Sequence, residues 1–337
     1  MSSLSATDGL IVTRAVDAGS YRDARHDRWF RRAMLLCALL VLAALIGAAG
    51  ATLWGGHQAL STFGWHFFTS TTWDVNAGQF GALVPIIGTL ATALIAIVIA
   101  VPVSFGIAIF LTDVAPQWMR GPVGTAIELL AGIPSIIYGM WGFFVFVPIM
   151  SETVQPWLIN HLGDGTNDAG NPTGLGLALF SGAPIGVGVL TAGIVLSIMI
   201  LPFISSVMRE VFLTVPSRLK ESAYALGSTR WEVLWDIVLP YTRTAVIGGI
   251  FLGLGRALGE TMAVTFVIGN SHDFSTSLVM PGTSIAATIA NEFNEASSDL
   301  HRSALIALAF VLFVVTFIVL AIAKLMLRRL ARREGNG

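Results

Sequence analysis

The chain has 337 residues, of which 55% are hydrophobic and only 12% charged. A soluble domain carries about 25% charged residues. This composition and a mean hydropathy of +0.77 exclude an ordinary water-soluble protein and require a surface that mostly faces lipid. The formal net charge of -1 hides a strong asymmetry along the chain, and the single Cys37 excludes an internal disulfide framework.

Residues 1–32 form a hydrophilic tail carrying Arg14, Arg22, Arg25, Arg28, Arg31 and Arg32. Control of membrane topology accounts for these charges better than binding of lipid headgroups or nucleic acid. An apolar run at 33–54 follows. Ala49-Gly50-Ala51 looks like a signal-peptide cleavage site, but the run is too long for a signal peptide and the polar segment before it is also long. An uncleaved anchor is predicted. Further apolar runs lie at 82–112, 124–150, 185–208, 244–268 and 304–327. Each exceeds the ~20 residues that a membrane crossing needs. Pro85 and Pro102 make a kink in the second run plausible. The fold class predicted is all-α and polytopic, with about six transmembrane helices in a domain spanning 33–327 and a short tail at 328–337.

Basic residues set the expected orientation. Besides the N-terminal arginines, Arg120, Arg209, Arg218, Lys220, Arg230 and Arg243 flank two of the connections, and Lys324, Arg328, Arg329, Arg332 and Arg333 close the chain. The connections 55–81 and 151–184 hold no Lys or Arg, and 269–303 holds only Arg302. This positive-inside pattern places both termini and segment 213–243 in the cytoplasm. On the other side, 162–176 reads as a flexible loop rich in Gly, Asn, Asp and Pro. Segment 282–293 reads as a short helix on the outer face or a dip into the membrane. Trp54, Trp65, Trp73, Trp118, Trp141 and Trp157 fall near span ends, as interfacial anchors do.

Between the fourth and fifth runs lies a polar stretch, Glu221-Ser222-Ala223-Tyr224-Ala225-Leu226-Gly227, followed later by Ile237-Val238-Leu239-Pro240. It reads as two short helices with a hinge. Gly227 suits the position just past a helix end, where only glycine takes a left-handed conformation cheaply. Thr229 and Glu232 form a T-x-x-E capping box that opens the next helix. Trp231, Leu234 and Val238 give that helix an apolar face, and Pro240 stops it. A helix–Gly–helix finger between spans fits a groove on a soluble partner.

Several chemistries are excluded. The only lysines, Lys220 and Lys324, do not follow glycine, so no Walker A loop exists. The six histidines show no zinc spacing. Gly253-Leu254-Gly255-Arg256 is not a dinucleotide fingerprint, and its glycines suit close helix packing instead. There is no G-x-S-x-G elbow. With no nucleophile–base or metal set in view, a non-catalytic protein without its own cofactor is expected.

One charged pair lies inside an apolar run: Arg256 and Glu260, four residues apart and therefore on one helix face if the helix is continuous. A lone arginine at mid-membrane costs at least about 2.5 kcal/mol. Two readings stand. Arg256 is an anion contact or gate with Glu260 as its switchable partner, or the two form a static ion pair.

The finger resembles the "EAA" cytoplasmic loop of type I ABC importer permeases. The family pattern holds at Glu221, Ala223, Gly227, Ile237, Leu239 and Pro240, with Ser222 replacing the first alanine. Gly255–Thr265, Pro134–Gly142, Gly81–Thr89 and Asn291–Ala296 are similar to the PstC-type permeases of bacterial phosphate importers. The likeness runs from about residue 33 to the C-terminus, and the N-terminal tail and 160–176 fall outside it. The resemblance implies the following. The chain is an inner-membrane permease paired with a PstA-type permease. A PstB-type ATPase dimer holds the ATP and Mg, and a PstS-type protein delivers inorganic phosphate. The six finger residues couple to the ATPase, and Arg256 and Glu260 sit at transport-critical positions. A sulfate or molybdate permease, or an ion-gradient-driven transporter using Arg256–Glu260, are the alternatives. The outer connections carry Asp74, Glu152, Asp164, Asp168, Asp273, Glu292, Glu295 and Asp299. An anion importer with so acidic a mouth would need a carrier protein, unless its partner permease supplied cations.

Overall fold

A computed structural model describes the backbone of residues 5–165 and 174–334, and the side chains of 26–165 and 174–328. The centre of the predicted loop 162–176, including Asp168, lies outside the described residues, as do the side chains of Arg14, Arg22, Arg25, Arg329, Arg332 and Arg333. Among the described residues six helices are long and apolar enough to cross a membrane: His26–Gly55, Leu83–Val114, Ser135–His161, Val189–Leu213, Arg230–Leu258 and Asp299–Arg328. They are called the first to sixth spans below. Residues 1–54 form one compact unit and 55–337 a second. The first unit is a single helix that begins at Ser5 and runs through the expected border at residue 32. Its side chains from Trp29 to Ile46 include many exposed leucines, as suits a lipid-facing anchor.

In the second unit the fourth span is central, with 67% of its apolar window buried. Its Ala192, Val195, Leu196, Met199, Ile200, Ile204 and Met208 meet Ala93, Ala96, Ala100 and Ala108 of the second span. Small residues let these helices approach closely, which replaces the hydrophobic drive that lipid removes. A side chain at Gly193 or Gly253 would come within 2.6 Å of Ile95 or Ile204. Ser104 Oγ adds a bond to the Leu201 carbonyl at 3.1 Å.

Two predicted spans shift. The third was expected at 124–150. Gly132 and Pro134 instead split that run into a helix at Gln117–Ala131 and a span beginning at Ser135. Ile133 lies between the two helices, in keeping with the bias of a residue before proline away from the α region. The fifth was expected at 244–268. It begins at Arg230 and ends at Leu258, with Gly259 as its cap. Pro240 does not stop the helix as expected. A π-helical turn at Leu234–Val238 leads into it, and proline occupies the first turn of the following α-helix. There the register changes and the missing N–H costs little.

Residues 259–284 neither span nor leave the bundle. After a short turn at Met262–Thr265, Val264, Val267 and Ile268 are buried in the main core. Asn270 has a positive φ of 52°, and its side-chain amide donates to the Thr265 carbonyl. Gly188 N donates to Val267 O, Leu190 N to Leu278 O, and Leu278 N to Leu179 O. The helix Ile285–Glu292 follows, capped by Ser284, so the short-helix expectation for 282–293 is met.

At the end of the bundle opposite the finger, a two-stranded hairpin, β1 (Trp73–Asp74) and β2 (Gln79–Phe80), packs with Ile285 and the start of the sixth span. Glu292 ties this end together. Its carboxylate only accepts, so Trp73 Nε1 donates at 2.9 Å, His272 Nε2 at 2.7 Å and His301 Nε2 at 2.9 Å. Trp73 stacks on His272 and Phe80 on His301. Trp73 is thus part of a polar cluster rather than an interfacial anchor, and Glu292 is not a free mouth charge.

Burial pushes the Glu292 carboxyl up, but hydrogen bonds from His272, Trp73 and His301 and the charge of His272 outweigh it and hold the group below its ordinary value. A depressed carboxylate stabilises the fold above its unfolded pKa, and that stability is lost as pH falls through the folded pKa. Thermal unfolding in detergent should therefore show stability falling as pH drops below the ordinary value of 4.5. Glu292→Gln should remove that slope and lower stability at neutral pH by about 2–3 kcal/mol, through donors left poorly matched. An unchanged slope in the variant would contradict this assignment.

Candidate functional site

The finger is built by local chemistry. Pro216 opens a helix at Ser217–Ala225. Its end is a Schellman motif: Ser228 N donates to Ala223 O at 3.1 Å and Gly227 N to Tyr224 O at 3.0 Å. Gly227 has φ of 91°. A Cβ there would meet nothing within 4 Å, so the demand for glycine is conformational and not steric. The capping box then forms as expected. Glu232 N donates to Thr229 Oγ1 at 3.3 Å and Thr229 N to Glu232 Oε2 at 2.7 Å.

This geometry sorts the six finger residues. Ala223 is buried and seats the finger helix on the bundle. Ile237 and Leu239 are half-buried at the root, and Pro240 is exposed. Glu221 is exposed beside the tip. Leu226, 88% exposed, is the foremost apolar group, with Tyr224 and Trp231 also exposed. Trp231 is largely exposed while Val233, Leu234 and Val238 are buried, although all four line one cavity. The result is a protruding tip with an apolar point and a carboxylate at its flank, rigidly capped at both sides of the hinge.

Arg256 and Glu260 are not brought together as a helical pair. The helix ends at Leu258, so Glu260 lies past the last turn. No ion pair joins the two among the described residues. Arg256 is exposed. Its guanidinium carbon lies 5.7 Å from the ring centre of Phe203. Glu260 is half-buried, and its carboxylate faces the Ala263 backbone N–H at 3.4 Å. The guanidinium is therefore free to take an anion in its planar fork.

Several of the segments singled out in the sequence touch one another in pairs. Gly139 lets the third span lie against Met262 and Ala263, where a side chain would come within 2.9 Å of the Met262 carbonyl oxygen. Gly88 lies directly under the Thr283 carbonyl, and Thr89 Oγ1 accepts from Ile285 N at 3.0 Å. Sequence reasoning missed the Glu292 cluster. Trp73, His272 and His301 lie 219, 20 and 9 residues from it, so no spacing signal was available.

Comparison with known proteins follows the geometry. The family model "Binding-protein-dependent transport system inner membrane component" matches residues 104–332. The "Phosphate transport system permease protein PstC" of Xylella fastidiosa (strain 9a5c) is 64% identical over 319 residues, covering 94% of each chain. The protein of the same name from Pasteurella multocida (strain Pm70) is 55% identical over 97% of this chain and all of that one. Among solved structures, a chain of a bacterial alginate ABC transporter aligns over 92% of this chain and 97% of its own, at 17% identity and a TM-score of 0.57. That likeness concerns the fold alone. The chain belongs to the PstC family of permeases, within the inner-membrane components of binding-protein-dependent transport systems.

Proposed function

We propose that this chain is one membrane-spanning subunit of an ATP-driven importer of inorganic phosphate in the bacterial inner membrane. The carrying observation is the 64% identity, over 94% of each chain, to a phosphate transport permease. The partners would be a PstA-type permease, a PstB-type ATPase dimer holding ATP and Mg, and a PstS-type binding protein outside. Movement of the ATPase dimer is carried by the finger into the spans, which alternate between inward and outward access. Arg256 meets phosphate or its gate, and Glu260, lying past the helix end, can approach or leave it as the spans move. Exposed Asp74, Asp164, Asp273, Glu295 and Asp299 at the far end repel free phosphate, which favours delivery by a carrier.

The full complex in vesicles should take up labelled phosphate only with ATP, and sulfate or molybdate should not compete. Competition by either would move the substrate to that anion. Arg256→Leu should cut uptake at least about tenfold, the worth of a hydrogen bond to a charged group, with assembly intact. Arg256→Lys should rescue only in part, because an ammonium lacks the planar fork. Normal transport by Arg256→Leu with Glu260→Leu would instead support a static role for the pair.

Docking is tested at the hinge. A left-handed residue with a Cβ costs about 1–2 kcal/mol, and a β-branched one more. Gly227→Val should insert normally yet lose coupling to the ATPase. Normal co-purification and transport by this variant would sink the docking role.

Orientation is tested in a Cys37→Ala background. Asn76→Cys should react with an impermeant thiol reagent on intact spheroplasts, and Leu226→Cys only after permeabilisation. The reverse pattern would overturn the cytoplasmic placement of the finger.

A further inference from the structure

The finger helix is covalently joined to the fourth and fifth spans, by residues 214–216 and 226–229. Its hold on the second span is of another kind. Lys220 Nζ lies 2.9 Å from Asp113 Oδ1, and the two side chains are only 17% and 22% exposed. Asp113 sits in the π-helical turn Phe110–Val114 that ends the second span. Its other oxygen, Oδ2, accepts from Thr112 Oγ1 at 2.9 Å. Just beyond, the Ala115 carbonyl accepts from Arg120 Nε at 2.8 Å. The acceptor end of the pair is therefore fixed in place.

Apolar packing does not fill this junction. A cavity of about 260 Å³ lies there, lined in part by Ile109, Val114, Tyr224, Trp231 and Leu234. A mobile helix resting on a partly empty interface slides more easily than one in close contact. Asp113 lines this cavity, and the ion pair runs beside it, from the residue next to Glu221 to the last turn of the helix most closely packed against the fourth span. Both partners are largely withdrawn from water, so the pair is screened less than a surface bridge.

We propose that Lys220 and Asp113 form the strut through which the finger moves the second span, making Lys220 a positioning residue for coupling and not for ATPase docking. This rests on the reading of the finger as an ATPase-docking element. Without the strut, ATP would be hydrolysed while the second span follows the finger imperfectly.

The test is the ratio of phosphate imported to ATP hydrolysed by the complete complex in proteoliposomes. Lys220→Met and Asp113→Asn should each retain the bound ATPase and its hydrolysis, while the ratio falls about tenfold, within the usual range of intersite coupling. Lys220→Arg should keep the ratio. The charge-swapped chain, Asp113→Lys with Lys220→Asp, should recover most of it, and carries the test alone if the single variants fail to insert. A wild-type ratio in the single variants, with the ATPase bound, overturns the strut. So does a swapped chain that assembles but stays uncoupled. Normal ATPase binding by a Gly227→Val, Leu226→Asp chain overturns the docking reading itself, and the strut with it.

Discussion

Backbone polar groups withdrawn from water must be satisfied inside the protein, and this structure depends on how residues 259–284 meet that demand. Apart from one helical turn at Met262–Thr265 they are irregular, yet part of the segment is buried among the spans. Their N–H and C=O groups are met by Leu179, Gly188, Leu190 and the Asn270 side chain. Gly88 and Gly139 clear the space for that backbone. Irregular chain at membrane depth survives only where protein or a water-filled path surrounds it. Ending the fifth helix at Leu258 is what parts Glu260 from Arg256 and leaves the guanidinium open.

The finger obeys a different rule. It protrudes, so it cannot be shaped by burial and has to carry its own order. A Schellman end, a capping box and one left-handed glycine supply that order within a dozen residues. The finger's second helix is rooted in the core through Val233, Leu234 and Val238. Its first helix meets the core through Ala223 and the second span through the Lys220–Asp113 pair.

The two ends of the bundle contrast in their electrostatics. At the finger end, cations sit near helix ends and pair with carboxylates, as in Arg209 with Glu128 and Lys220 with Asp113. At the far end, Glu292 gathers two imidazoles and an indole into a stacked cluster that joins the hairpin, the short helix and the sixth span. Exposed aspartates surround that cluster. Arg256 lies apart from both, near the end of the fifth span.

Features set by nearby residues were legible in the sequence. Six apolar runs announced six spans, and Thr229, Glu232 and Gly227 announced the caps of the finger, because hydropathy and capping act over a few residues. Span borders at Gly132–Pro134 and Gly259 were misplaced, since apolar residues look alike whether they face lipid as helix or are buried as irregular chain. Pro240 misled because it falls in the first turn of the α-helix that follows the π-helical turn, where its missing N–H costs little. The Arg256–Glu260 spacing implied a pair that holds only while the helix continues. The Glu292 cluster and the Lys220–Asp113 pair could not be read from sequence at all. Their members are separated by up to 219 and by 107 residues, and only tertiary packing, which fixes how distant helices meet, brings such charges within hydrogen-bond reach.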